Sequence, residues 1–349
     1  MTTSAGPALD DALPGGLPPD AADEIRRVLG QLPAGVSCVA TGSLIEGLGN
    51  PSSDIDLFVL PPEGTPAGNP VAIGIRQFRY VDCEYLAPAQ VCLLADRFDE
   101  TDARDPHTLT ARDFVRYYRL ATAARLRVDD ATTALLDRCS VTRHTELFTP
   151  WSLGRAAHFL ARARVAAALG ESRQRIALLR EAALWRATAL LAGAGEPYPS
   201  LKWVTTKATR RFGTRSPEYD DCLRGYAVTP GDAGTVERWL GEQVGPPREP
   251  APAGWVPAPG TSLLVLDGLP HLVRGRRSLA RLTGPAAPLV GALTEHGDWA
   301  GALEGTARAW RVEPADVTAA TTTDLTALTE AGYLTRLDAD AEEAPDAGA

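Results

Sequence analysis

The chain reads as an α/β unit followed by an all-α region and, beyond a proline-rich break, a small third module of strands and helices. Three observations predict this. Between residues 21 and 110, apolar runs of strand type alternate with helical periodicity and with Gly and Pro punctuation. From 111 to 241 the apolar pattern becomes helical throughout. The stretch 242–260, EQVGPPREPAPAGWVPAPG, holds six prolines among small residues, a composition that reads as a semi-rigid linker, so a domain boundary is placed there. At 349 residues, 44% hydrophobic and 23% charged, the chain is long enough for two or three ordinary cores.

Taken in order, residues 1–20 are rich in Gly, Pro and Asp and are expected to be disordered, as is the acidic tail 338–349, DADAEEAPDAGA. A helix is expected near 20–31, then strands at GVSCVA, DIDLFVL and IRQFRYVDCEYL. In the helical region Ile176, Leu179, Ala183, Ala187 and Leu190 share one helix face, with Ser172 as N-cap and Gly193 past the end. Residues 261–337 read as two strands, SLLVL and HLV, around the turn Asp267-Gly268. Helices follow, with stripes Trp299, Leu303, Ala307, Trp310 and Val317, Leu325, Leu328.

No apolar run approaches the ~20 residues needed to cross a bilayer, and the first residues have neither a basic nor an apolar signal-peptide region. A cytoplasmic protein without a membrane partner is expected. Five cysteines, odd in number and without a CxxC pair, argue against a disulfide framework or a zinc-thiolate site. Net charge is −9, yet residues 151–216 carry twelve basic residues against three acidic ones. Such a block is a solvated helix face or a docking place for phosphates. Of the 35 basic residues only Lys202 and Lys207 are lysines, five positions apart. A compact ammonium is what Arg cannot replace beside a phosphate, which makes the pair a candidate triphosphate contact.

The chemistry concentrates between Val36 and Leu60, VSCVATGSLIEGLGNPSSDIDLFVL. An apolar strand ends at Gly42-Ser43, and ten residues later Asp54-Ile55-Asp56 opens a second one. Alternation along a strand puts Asp54 and Asp56 on one side and Ile55, Leu57 and Val59 on the other. Two converging carboxylates favour a hard divalent cation with oxygen ligands, typically Mg²⁺. On the third strand Asp82 and Glu84 again share a face, so four carboxylates are expected along one rim. Metals held there could bind a triphosphate and stabilise a leaving pyrophosphate. Gly42 allows close approach of backbone to phosphate, and Ser43 supplies a hydroxyl donor. There is no GxGxxG or Walker-type loop to suggest a dinucleotide or P-loop site.

In these residues, over roughly positions 25–100, the chain resembles the DNA polymerase beta-type nucleotidyltransferase superfamily, through Gly42-Ser43, Asp54-x-Asp56 and a third acid, either Asp82 or Glu84. The resemblance implies a small mixed-sheet nucleotidyltransferase domain backed by helices. It also implies two magnesium ions, an NTP substrate taken as ATP, and transfer of a nucleoside monophosphate to an acceptor. Asp82 is favoured as the third metal ligand beside Asp54 and Asp56, and Glu84 as general base for the acceptor. Antibiotic-modifying and toxin-neutralising nucleotidyltransferases look similar in layout, with a helical bundle domain after the catalytic unit. That likeness carries a phosphate-binding role over to Lys202 and Lys207, which are expected on the exposed arc of SLKWVTTKATRRF, opposite Leu201, Val204, Ala208 and Phe212.

The module at 261–337 resembles a winged-helix-like domain and, more loosely, a PqqD-like peptide-recognition element, through DLTALTEAGYL and the strands before it. This implies a peptide or protein partner added at a strand edge. The overall expectation is a transferase acting on a small-molecule or peptide acceptor, in specialised metabolism or antibiotic modification. Its competitors are a non-catalytic peptide- or protein-binding factor on an inert fold, and transfer to a protein or tRNA. A nucleic-acid partner is not expected for this module, since the basic excess lies in the other domain.

Overall fold

The computed structural model describes residues 13, 17–50, 52–62, 64–65, 71–76, 79–245, 254–267, 269–274, 278–296 and 298–337. The tail at 338–349 and most of the first twenty residues, both expected to be disordered, lie outside the described residues. In chain order come α1 (Pro19–Gln31), β1 (Ser37–Thr41), β2 (Ile55–Leu60), β3 (Val71–Arg76), β4 (Arg79–Tyr85), α2 (Pro88–Glu100), α3 (Ala111–Ala121), β5 (Ala124–Arg127) and α4 (Asp130–Leu136). Next are α5 (Val141–Ala168), α6 (Ser172–Gly193), α7 (Val204–Phe212), α8 (Pro217–Ala227) and α9 (Ala233–Val244). The last stretch holds β6 (Gly254–Pro257), β7 (Thr261–Leu266), β8 (Leu269–Arg274), β9 (Ser278–Arg281), α10 (Ala286–His296), α11 (Trp299–Trp310), α12 (Pro314–Glu330) and β10 (Leu334–Leu337). The chain divides into two units, Met1–Trp151 with Thr188–Asp220, and Ser152–Ala187 with Asp221–Ala349. The region 111–241, read as one helical domain, is therefore divided between them. Among the described residues no helix is long and apolar enough to cross a membrane.

The first unit is built on a five-stranded mixed sheet in the order β3-β4-β2-β1-β5. Strands β2 and β4 run parallel, and the other pairs are antiparallel. The run at 75–86, read as one strand, is the end of β3 together with β4, and β5 was not legible at all. Four residues between two helices are too few to show a period of two. One sheet face is closed by α1, whose Ala21 and Ile25 are buried in a cluster with Cys38, Ala40, Ile55, Leu57, Val59, Val81 and Leu126. Helices α2 and α3 meet through Phe98, which stacks on Tyr117 at 3.7 Å and meets Phe114 edge-on at 5.4 Å. The start of α3 is fixed by a capping box: Asp113 N–H donates to Thr110 Oγ1 at 3.2 Å, and Thr110 N–H donates to Asp113 Oδ2 at 2.8 Å.

His144, on α5, is fully buried among the rings of Phe114, Tyr118 and Phe148. Burial, reinforced by the Lys207 ammonium, pushes its pKa down from 6.5 to about 3. Between those two values the unfolded chain binds a proton that the folded chain does not, so stability falls as pH falls through this window and is insensitive to His144 above it. The expected loss approaches about 1.4 kcal/mol per pH unit. Urea melts at several pH values should show this slope in the wild type and a shallower one in His144→Phe; equal slopes would contradict the assignment.

The second unit holds two cores. One joins Leu160, Ala163, Leu178, Leu179, Ala182, Ala183, Val228, Ala233 and Leu240 from α5, α6 and α9 and the turn before α9. Gly225 on α8 packs closely there: a Cβ would lie 3.1 Å from Leu184 Cγ and 3.2 Å from Arg180 O. The other gathers Trp255, Leu272, Leu289, Val290, Leu293, Trp299, Val317, Leu325 and Tyr333. Trp255 belongs to β6, which pairs with β10 inside the stretch read as a linker. The proline-rich composition ends in a strand there because Gly254, at φ +143°, lets the backbone lie against Trp299, whose Cγ would be 2.6 Å from any Cβ. Strands β7, β8 and β9 form a separate antiparallel sheet with one more strand than the sequence predicted. Its outer strand β7 leaves Leu264, Val265 and Leu266 exposed.

Candidate active site

Strand β1 delivers the chain to Thr41, paired with Asp56 in the antiparallel register. Gly42 follows at φ +83°, and a Cβ there would run into Asp56 Oδ2 and lie 2.7 Å from its Cγ. Only glycine allows the backbone to turn against that carboxylate. The turn is tight: Leu48 N–H and Gly49 N–H both donate to Ser43 O, at 2.9 and 2.7 Å. Before β2 the chain is braced by Asn50, whose Oδ1 accepts from Ser52 N–H at 2.9 Å and Ser52 Oγ at 2.8 Å, while Asn50 N–H donates to Ser53 Oγ at 2.9 Å. These bonds present Asp54, exposed, two residues ahead of the half-buried Asp56. In the parallel β2–β4 pair Asp56 sits opposite Asp82 and Phe58 opposite Glu84.

The three aspartates share one electrostatic neighbourhood. Burial raises the Asp56 carboxyl above the usual carboxylate range; Arg119 opposes the rise, and the charges of Asp82 and Asp54 add to it. Asp82 is raised in the same way, by burial first, with Arg119 opposing and Glu84 and Asp54 adding. Asp82 Oδ1 is buried without a hydrogen bond. Arg119 reaches across from α3, with Nη1 3.3 Å from Asp56 Oδ1 and a hydrogen bond to the Tyr198 side chain.

Of the four carboxylates expected along one rim, Glu84 is engaged by arginines. Glu84 is ion-paired to Arg116 and lies 3.6 Å from Arg112, so two guanidiniums compete with any acceptor hydroxyl for its lone pairs. Among the described residues no group of three or more His, Cys, Asp and Glu side chains is gathered as a metal site. Asp54, Asp56 and Asp82 remain the residues that could hold a cation. Their oxygens, one of them buried and unbonded, match the donor chemistry of a hard divalent ion.

Residues 22–107 match the family model of the nucleotidyltransferase domain. The matched segment lies in the first unit and spans β1 to β4, with Asp54, Asp56, Asp82 and Glu84 inside it. No curated protein matches the chain. The match does not reach the third module, so its winged-helix and PqqD-like resemblance is unsupported.

A cleft of about 250 Å³ is lined by Ser43, Asn50, Asp54 and Asp56 and, from outside the matched segment, by Arg119, Tyr198, Ser200, Lys202 and Trp203. Lys202, expected as a phosphate contact, lines this cleft, exposed and 4.8 Å from the Trp203 ring centroid. Lys207 does not. It is fully buried and donates from Nζ to Tyr198 O at 2.7 Å. Its place follows from helix geometry: Lys207 lies three residues after Val204 and beside Ala208, on the buried stripe of α7 rather than the exposed arc. Ser200 makes no side-chain cap, because a 3₁₀ turn at Leu201–Trp203 precedes α7.

Arg119 was missed, although a signal existed. Arg112, Arg116 and Arg119 recur at four and three residues in ARDFVRYYRLA, one face of α3, and that face meets the acidic strands.

Proposed function

We propose that the chain is a magnesium-dependent nucleotidyltransferase that moves a nucleoside monophosphate from an NTP, taken as ATP, to a small-molecule or peptide acceptor and releases pyrophosphate. The observation that carries this reading is the pairing of Asp56 with Asp82 across parallel strands, with Asp54 two residues upstream and Gly42 pressed against the Asp56 carboxylate. Asp54, Asp56 and Asp82 would hold the ions, which supply charge neutralisation to the triphosphate and to the departing pyrophosphate.

The remaining work falls to the chain's own groups. The Gly42-Ser43 turn brings backbone and hydroxyl close to phosphate oxygens, and the Lys202 ammonium at the cleft mouth adds a mobile positive charge. Trp203 offers a flat apolar surface against which a base can stack. With Glu84 held by arginines, Asp82 is the other acid of β4 that could take the acceptor proton. The acidic net charge of −9 suits a small or peptide acceptor better than a polynucleotide.

Incubating the full chain with each labelled NTP, Mg²⁺ and a panel of hydroxyl, amine and peptide acceptors tests the reading. A product heavier than its acceptor by one nucleoside monophosphate, with one pyrophosphate per transfer, is expected. Binding of NTP with no release of pyrophosphate over any acceptor would favour an inert, ligand-binding fold.

A further inference from the structure

Asp82, Glu84 and Leu86 follow one another on one side of β4, about 7 Å apart by the two-residue repeat of a strand. Leu86 stands just past the end of β4 yet keeps the ladder, its N–H donating to Val59 O at 3.0 Å. Beyond Glu84 a hollow of about 170 Å³ opens between α2 and α3, with a lining wholly different from that of the cleft at Asp54 and Asp56. Its walls are the buried Leu86, Val91, Leu94 and Leu120, with the exposed Leu93 beside them. An apolar space of about 150 Å³ takes a benzene-sized group. The end of the hollow at Asp113 is electrically closed: Arg97 Nη1 donates to Asp113 Oδ1 at 3.0 Å, and its Nη2 to Thr108 O at 3.1 Å. The end at Arg116 is not. Arg116, which lines the hollow, and Arg112 share the single carboxylate of Glu84, two guanidiniums against one anion. Arg116 Nε is buried without a hydrogen bond among the described residues, and the Arg112 side chain is 69% exposed, 3.6 Å from Glu84 Oε1.

We propose that this hollow is the acceptor subsite and that the acceptor is a small apolar carboxylate. Its aromatic or branched aliphatic group enters beside Leu86, its carboxylate meets Arg112 and Arg116, and its hydroxyl or amine reaches back along β4 toward Asp82. The proposal rests on the nucleotidyltransferase reading above and supplies its substrate class. Guanidiniums pair with a planar carboxylate through a fork of N–H donors, and a second carboxylate here balances the positive charge that Glu84 leaves over. Glu84 is then a positioning residue: it holds the two arginines over the strand and does not take the acceptor proton. Size sets the other limit. The hollow is smaller than the roughly 300–1,000 Å³ of a pocket that swallows a whole ligand, so it encloses one ring-sized group and leaves the rest of the acceptor over the strand. A sugar hydroxyl placed between Val91, Leu94 and Leu120 would lose its water without gaining a partner, which disfavours polar acceptors.

Calorimetry on the full chain with phenyllactate, which joins a hydroxyl, a carboxylate and a benzene ring, tests the proposal. The acid should bind. Lactate, which lacks the ring, and phenyllactamide, which lacks the charge, should each bind at least about tenfold more weakly. Arg112→Gln, a change at an exposed side chain, should weaken phenyllactate about fivefold and leave phenyllactamide as in wild type. Glu84→Gln frees both guanidiniums and should tighten phenyllactate. Opposite signs at the two positions separate the clamp from structural damage, which weakens both. Equal affinity for acid and amide, or no binding of phenyllactate by a wild type that binds Mg·ATP, overturns the subsite and leaves the nucleotide reading intact. Phenyllactate binding by a wild type that does not bind Mg·ATP overturns the acceptor role together with that reading.

Discussion

Asp56→Asn is expected to lower nucleotide transfer by about 10²–10³-fold, the scale seen when one preorganised electrostatic contact to a transition state is removed. The melting temperature should not fall. Burial raises the Asp56 carboxyl, so at neutral pH its charge opposes folding, in part offset by Arg119; the amide removes that opposition and keeps the shape. A stable variant without activity is the signature of a functional carboxylate that the fold tolerates at a cost. Pyrophosphate release measured beside a thermal melt decides it. A parallel loss of both would mean that Asp56 serves the fold and the chemistry lies elsewhere.

The second large effect is expected at Gly42. Alanine there must adopt φ near +83° and place its methyl group against the Asp56 carboxylate. The backbone contribution alone is about 1–3 kcal/mol, and relief of the contact requires the Asp56 carboxylate to move. Gly42→Ala should therefore lose both stability and Mg-dependent nucleotide binding. Gly47→Ala is the control: its φ is +64°, but nothing lies within 4 Å of the added carbon. It should show the backbone penalty without the binding loss. Equal binding in the two variants would mean that the contact between Gly42 and Asp56 has no part in the site.

What the sequence made legible was local. Gly42-Ser43, Asp54-x-Asp56 and Asp82 could be read because strand alternation and a ten-residue loop are properties of adjacent residues, and the structure places Asp56 and Asp82 side by side. The opposite wall was not legible. Arg119 comes from α3 and Tyr198 from the segment after α6, and neither position relative to β2 is encoded in spacing. The pair's roles emerge only when α3 packs over the sheet and the 196–203 strap crosses beside it. Glu46 shows the same dependence, since it is tied to Tyr118 Oη at 3.0 Å and, through its carbonyl, to Arg210 at 2.9 Å. Lys207 was misplaced for a different reason. A charged residue at a buried helical position contradicts the binary pattern, and its bond to Tyr198 O helps compensate the burial. Strands β6 and β10 escaped detection because each is four residues long and one lies in a proline-rich run.

The central claim is that Asp54 and Asp56 admit a divalent ion with a nucleotide. Titration calorimetry of Mg·ATP into the wild-type chain and into Asp54→Ala/Asp56→Ala, each with and without the ion, addresses it most directly. Ion-dependent binding in the wild type, absent in the double variant, is the predicted result. Binding of equal strength in both proteins, or binding indifferent to the ion, would contradict the account.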